Sequence, residues 1–338
     1  MTDLFHVPGD TGGDWRFKKM VQYISDFPDE IGPIMNEYMR VNNATPDDKI
    51  WWVFLYSTCY CMGTALLLTK MLDFRTCTEE DIDKLWEKER ATLIFQSDRR
   101  WVRSLNKFKH MVLTFLERCH RKPYEYIQKF VTDDPEKTYN NLYSEIENNL
   151  YYNGRFGTIL FIFNLCKLFP EIKVESKVYD WETGATTTSA LFHVLYEDEK
   201  AINFEKRGKE KYNLTKEDID ILYENLYKVI DALKEYHPSK DWNIVWTASD
   251  LCSFRKLFKQ SRYPGFYVDR QMAEIKKLSK NYPEYSDLWD FVWLSRQKFI
   301  DHKYLGEIYG WDGPRSGLTD RFLKTGRCDP IVPEVEKW

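Results

Sequence analysis

The chain lacks most of the short patterns that announce an activity. Its seven cysteines are scattered, with no CxxC pair, and the six histidines stand at no ligand spacing from them. That pattern reads as reduced, mostly buried thiols in a cytoplasm, not as a disulfide scaffold or a zinc site. Walker A, GxGxxG, HExxH and EF-hand patterns are absent, as is any Ser-His-Asp order, so common nucleotide, metalloprotease, calcium and triad-hydrolase readings have no support. Redox-cofactor motifs are missing too. No internal repeat or low-complexity tract is visible, and alternation of period two is weak throughout, which leaves little for a sheet. The N-terminal MTDLFHVPGDTGGDW has neither a basic nor an apolar leader region, an expectation against secretion.

What is present is 338 residues with 43% hydrophobic, 16% aromatic and 30% charged content, enough for a large buried core rich in rings. The net charge of −4 argues against a purely electrostatic nucleic-acid binder. It leaves room for a local basic cleft, because the field at the site is what a ligand meets. Ile50 to Thr69 carries no charge, but Ser57, Thr58, Gly63 and Thr64 interrupt it. It reads as one central buried helix and not as a membrane span.

Helix starts are legible at Thr45-Pro46-Asp47-Asp48, at Thr78 to Asp81 and at Thr215 to Asp218, each a threonine followed three residues later by aspartate. Helical spacing predicts one or two short helices over Asp14–Tyr38, then helices over Asp98–Arg118, Lys137–Tyr151, Ile219–Tyr236, Asp250–Lys259, Arg270–Lys280 and Tyr285–Ile300. Thr158–Phe169 reads as a buried helix of about three turns, with a strand as the alternative, and Thr186–Leu195 as a short helix. The fold class is therefore mainly α: a single large multi-helix globular domain with irregular Gly/Pro-rich loops. We divide it into an N-terminal arm with short helices (1–45), a catalytic helical domain (46–316, with a charged insertion about 196–216) and a C-terminal extension (317–338).

Two stretches carry the candidate chemistry. Trp246 to Arg270 interleaves Arg255, Lys256, Lys259, Arg262 and Arg270 with Trp246, Tyr263 and Tyr267 around a Pro264-Gly265 turn, the mixture that phosphates and bases are held by. Asn153, Gly154 and Arg155 precede an apolar run, so a helix N-terminus and a guanidinium could receive one anion; a plain capping turn is the alternative. Arg99, Arg100 and Arg103 flank Trp101 and suit phosphate-backbone contact or a solvated helix face. Glu182 sits in a loop and could be a general base. His193, beside Leu191-Phe192, is a substrate contact or a core histidine. Glu307, Asp312 and Arg315 cluster in a glycine-rich segment that could cover a site or pack as an Ω-loop.

The segments WTASDLCSFRK and RYPGFYVDRQ, with NGRFGT upstream and YLGEIYGWDGPR downstream, resemble the amino acid:DNA transferases of bacterial viruses, also called α-glutamyl/putrescinyl thymine pyrophosphorylases. The resemblance runs from about Trp51 to Arg315. It implies replacement of the pyrophosphate of 5-pyrophosphomethyluracil in double-stranded DNA by the amine of an amino acid or polyamine, in the cytoplasm of an infected bacterium. It implies no membrane partner and no cofactor, although Mg²⁺ could accompany the pyrophosphate.

On that reading Arg155, Arg262 and Arg270 would stabilise the departing pyrophosphate. Glu182, then Asp269, then Asp250 would take the amine proton. Tyr152, Tyr263 or Tyr267 would sandwich a base taken out of the stack, with Trp246, Asn153, Gly154 and His193 as further substrate contacts. Arg99, Arg100, Arg103, Arg255, Lys256, Lys259 and Arg315 would hold DNA. A helical glycosylase-like enzyme, a non-enzymatic DNA-binding viral protein and a nucleotide-binding structural protein are the competing expectations.

Overall fold

The three threonine caps form as their sequences dictate. Thr45, Thr78 and Thr215 each accept a hydrogen bond from the backbone N–H three residues on, while Asp48, Asp81 and Asp218 reach back to the threonine N–H. A computed structural model describes residues 31–96, 102–151, 153–177, 215–238, 242–258 and 266–299, together with Val21, Tyr179, Thr187, Thr188, Ala190 and Leu191. Among these residues there are twelve α-helices and no strand. They are α1 (Gly32–Val41), α2 (Pro46–Cys59), α3 (Met62–Met71), α4 (Glu79–Glu89), α5 (Leu105–Arg118), α6 (Pro123–Gln128), α7 (Pro135–Asn149), α8 (Arg155–Leu168), α9 (Lys216–Tyr236), α10 (Ile244–Phe258), α11 (Phe266–Asn281) and α12 (Ser286–Phe299).

Helix α2 is central. Every residue from Ile50 to Cys59 is buried, and the helix packs on α3, α6 and α8. Helix α8 in turn packs on α7 and α1, α3 on α11, and α12 on both α1 and α11. Ile34, Met35, Tyr38 and Met39 of α1 therefore share one core with residues of α2, α3, α8, α11 and α12. No helix among the described residues is long and apolar enough to cross a membrane.

The run expected as one helix over Ile50–Thr69 is two. Tyr60 ends α2 in the left-handed region (φ 52°) and Cys61 is extended before α3 begins. A non-glycine residue there costs about 1–2 kcal/mol. Bonds from distant parts of the chain offset that cost: the Met62 N–H donates to Gln271 Oε1 (2.8 Å), and the Gln96 N–H donates to the Cys59 carbonyl (3.0 Å). Cys59 and Cys61 thus flank this break.

Other boundaries shift: α5 begins only at Leu105, inside the expected Asp98–Arg118, and α7 ends at Asn149, short of the expected Tyr151. Helix α8 begins at Arg155 and is not a strand, α10 begins at Ile244 and α11 at Phe266. Asp134 caps α7, with Pro135 in its first turn, two residues before the expected start. The short helix α6 carried no sequence expectation.

Gly63 marks the closest approach of α3 to α11. A Cβ there would lie 2.6 Å from Leu278 Cδ1 and 3.0 Å from Ile275 Cγ1. Gly63→Ala is expected to destabilise the fold by about 1–3 kcal/mol through overpacking. Urea unfolding checks this, and an unchanged midpoint would show that α3 and α11 can separate without cost.

Candidate functional site

Helix α7 reads as polar in sequence, but one of its faces is a wall. Tyr139, Tyr143 and Glu147 recur every four residues and so stand in one row, with Asn140, Ser144 and Asn148 beside them. The first turn of α8 adds Arg155, Phe156 and Ile159, and α10 adds Val245, Ala248, Ser249 and Cys252, spaced along one side of that helix. Ser176, Tyr179 and Thr187 complete the lining of a cavity of about 770 Å³. That volume is in the range of pockets for ligands of nucleotide or drug size.

The start of α8 gives this cavity a positive end. Gly154 is the N-cap, no side chain caps the helix, and no acid lies in its first turn, unlike α2, α4, α7 and α9. The first N–H groups of a helix and its dipole favour an anion there. The Arg155 guanidinium lies over the Tyr179 ring, 5.6 Å from its centre. Tyr179 donates from its hydroxyl to Thr187 Oγ1 (3.1 Å), and Thr187 donates to the Ala248 carbonyl (2.8 Å), tying the wall together.

Burial raises the Tyr139, Tyr143 and Tyr179 phenols above the ordinary tyrosine value. Arg155 opposes the shift in all three, and Glu147 adds to it at Tyr143, whose hydroxyl donates to Glu147 Oε1 (3.1 Å). Three neutral phenols, one guanidinium and one carboxylate therefore face the same space. Such a set can hold an anionic group at one end and a flat ring against the aromatic wall.

A second polar cluster lies behind the cavity. Phe156 is 46% exposed and meets the Tyr60 ring edge-on at 5.4 Å. Arg270 lies against the same Tyr60 ring, 4.9 Å from its centre, and 5.1 Å from that of Tyr267. The two sequence stretches thus meet through the residue at the α2–α3 break. Arg270 is 1% exposed and its Nε is 3.9 Å from Glu274 Oε1. Gln96 Nε2 donates to that same oxygen, and the buried Cys61 thiol is a neighbour of the carboxylate. Glu274 Oε2 has no hydrogen-bond partner among the described residues. Burial outweighs the Arg270 charge and pushes Glu274 up to about 7.

The expected site residues divide accordingly. Arg155 is on the cavity wall. Asn153 is buried just before it, with its carbonyl accepting from Thr158 Oγ1 (3.1 Å), and Gly154 caps α8. Arg270 and Tyr267 are buried behind the wall and do not line it. Trp246 packs edge-on against Phe163 of α8 at 4.7 Å. Asp250, four residues on, shares that side of α10 and is not a lining residue. Arg103 is bound to the loop after α4. Tyr152, Glu182, His193, Lys259, Arg262, Tyr263, Arg99, Arg100 and Arg315 lie outside the described residues, as do the side chains of Asp269, Arg255 and Lys256. Tyr179 and Thr187, which flank the segment with Glu182, both line the cavity. Sequence reasoning passed over Tyr139, Tyr143, Glu147, Cys252, Gln96 and Glu274. The four-residue spacing of Tyr139, Tyr143 and Glu147 was the available signal.

No group of three or more His, Cys, Asp or Glu residues that could hold a metal ion occurs among the described residues. Comparison with protein-family models, with curated proteins and with solved structures finds no match.

Proposed function

We propose that the protein is a DNA-modifying transferase that replaces the pyrophosphate of 5-pyrophosphomethyluracil in DNA with the amine of an amino acid or polyamine, in the cytoplasm of an infected bacterium. The observation that carries this reading is the cavity of about 770 Å³ in which Arg155 and the acid-free start of α8 face three neutral tyrosines. In the reaction the bond from the 5-methylene carbon to the pyrophosphate oxygen breaks, and pyrophosphate leaves with the electron pair. A carbon–nitrogen bond forms and the amine gives up one proton. Arg155 and the α8 N–H groups would meet the charge that grows on the leaving group. The tyrosine wall would receive the base once it has left the stack. Glu147 joins Glu182 as a candidate to accept the amine proton.

The test is nucleoside mass spectrometry on duplex DNA carrying 5-pyrophosphomethyluracil, incubated with the protein and a pool of amino acids and polyamines. A mass gain equal to one amine, with pyrophosphate released, is the expected result and names the donor. Loss of the base would instead indicate a glycosylase. Unchanged nucleosides on bound DNA would indicate a binding protein.

A further inference from the structure

Away from the cavity, Arg90 at the end of α4 and Arg103 just before α5 converge on Phe95. The Arg90 guanidinium lies 5.4 Å from the centre of the Trp86 ring and 5.7 Å from that of Phe95. Its Nε donates to the Arg103 carbonyl (3.1 Å), and Arg103 Nη2 donates to the Phe95 carbonyl. Burial first, and then the nearby Arg103 charge, hold Arg90 below the ordinary arginine value. Neither arginine has a carboxylate partner among the described residues, whereas Arg40, Arg75 and Arg118 each do.

Each guanidinium offers five N–H donors, and one of them on each side is bound to a carbonyl. Fixing the loop between α4 and α5 needs only those bonds. It does not need two like charges brought together with no acid beside them among the described residues, an arrangement that repels itself until an anion arrives. Arg90 is half-buried against two rings and so loses little freedom on binding, while Arg103 is exposed beside it. Planar forks fixed by carbonyls and rings suit phosphate oxygens, which accept two hydrogen bonds side by side.

We infer that Arg90 and Arg103 form a preset clamp for the phosphate backbone of nucleic acid. The inference rests on the reading of the protein as one that acts on DNA. It adds Arg90, which sequence reasoning did not single out, and makes Arg103 a backbone contact rather than a solvated surface residue. The clamp reads charge and spacing only, so it positions the duplex and carries no sequence preference.

The experiment is fluorescence anisotropy of the full-length protein on an unmodified DNA duplex across a range of salt concentrations. Arg90→Gln and Arg103→Gln are each expected to lower the slope of log affinity against log salt by about 1, and to weaken binding roughly eightfold at about 0.1 M salt. Arg103→Lys is expected to restore most of the slope, because it keeps the charge. Arg40→Gln, which removes a cation already paired with Glu37, is expected to leave the slope unchanged.

Circular dichroism establishes that each variant is folded. Should Arg103→Gln unfold, Arg90→Gln and Arg90→Lys carry the test, since the Arg103 guanidinium keeps its bond to the Phe95 carbonyl in both. A wild-type slope in folded Arg90→Gln overturns the clamp, and so does an equal loss in Arg40→Gln, which would reduce the effect to net charge. Binding of tripolyphosphate without binding of duplex also overturns it. These outcomes leave the transferase reading standing, because amine transfer is scored separately by mass. Bound DNA with the predicted slope changes and no transfer supports the clamp and removes the transferase.

Discussion

Arg155→Gln is expected to slow amine transfer about 10²–10³-fold while the protein stays folded and still binds duplex DNA. The magnitude is that of removing one fixed donor aimed at developing charge. Arg155 is the first residue of α8 and the one cationic side chain among the described residues that line the cavity. It lies over Tyr179 and raises the cost of ionising none of the three phenols; it opposes the shift that burial imposes on them. Loss of its charge therefore leaves the tyrosine wall neutral and intact. The N–H groups of the first turn of α8 also remain, so some leaving-group stabilisation survives and activity falls without vanishing. Arg155→Lys keeps a point charge and loses the fork, and is expected to fall between the two. Single-turnover rates on bound DNA make the comparison, with anisotropy confirming equal occupancy. A wild-type rate in Arg155→Gln would remove this cavity from the reaction.

Local signals in the sequence reported local structure faithfully. A threonine with aspartate three residues later specifies both halves of a capping box from four residues, and all three such signals formed their helices. The all-helical class followed from the same periodicities. The break after Tyr60 could not be read this way, because the residue that holds it, Gln271, lies 209 positions from Met62. Ser57 and Thr58 return their hydroxyls to carbonyls four residues back, so the polar residues of the apolar run gave no hint of an end.

The site was half legible for a related reason. Arg155 was visible beside two glycines, and Arg270 among rings, but only the folded chain joins them through Tyr60 and Phe156. In sequence the carboxylate beside Arg270 is its neighbour Asp269. On a helix the residue within reach is the one four further on, and Glu274 is that residue. Trp246 and Asp250 are grouped with the site in sequence as parts of one basic-aromatic stretch, with a helix expected only from Asp250. Because α10 starts at Ile244, they belong to the face that meets Phe163.

Glu274→Gln is expected to flatten the dependence of stability on pH between about 4.5 and 7. Burial raises the folded carboxyl from its ordinary 4.5 to about 7, so the folded chain holds a proton that the unfolded chain has released. Below about 4.5 both states are protonated and the carboxyl imposes no cost. As pH rises toward 7 the unfolded state is favoured progressively, and above 7 the loss is complete at about 3 kcal/mol. That is a large share of the 5–15 kcal/mol typical of a domain. The groups acting on Glu274 are the Arg270 and Lys277 cations and the Cys61 thiol, and burial holds that thiol well above its ordinary value, hence neutral in this window. Glutamine preserves the acceptor for Gln96 and cannot titrate, so the variant should gain on the wild type as pH rises from 5 to 8. Urea unfolding at the two pH values measures the difference. A variant that keeps the wild-type slope would assign the pH dependence to other groups. It would also mean that Glu274 is ionised beside Arg270 throughout, with the pair acting as a fixed strut beneath Tyr60 and not as a titrating one.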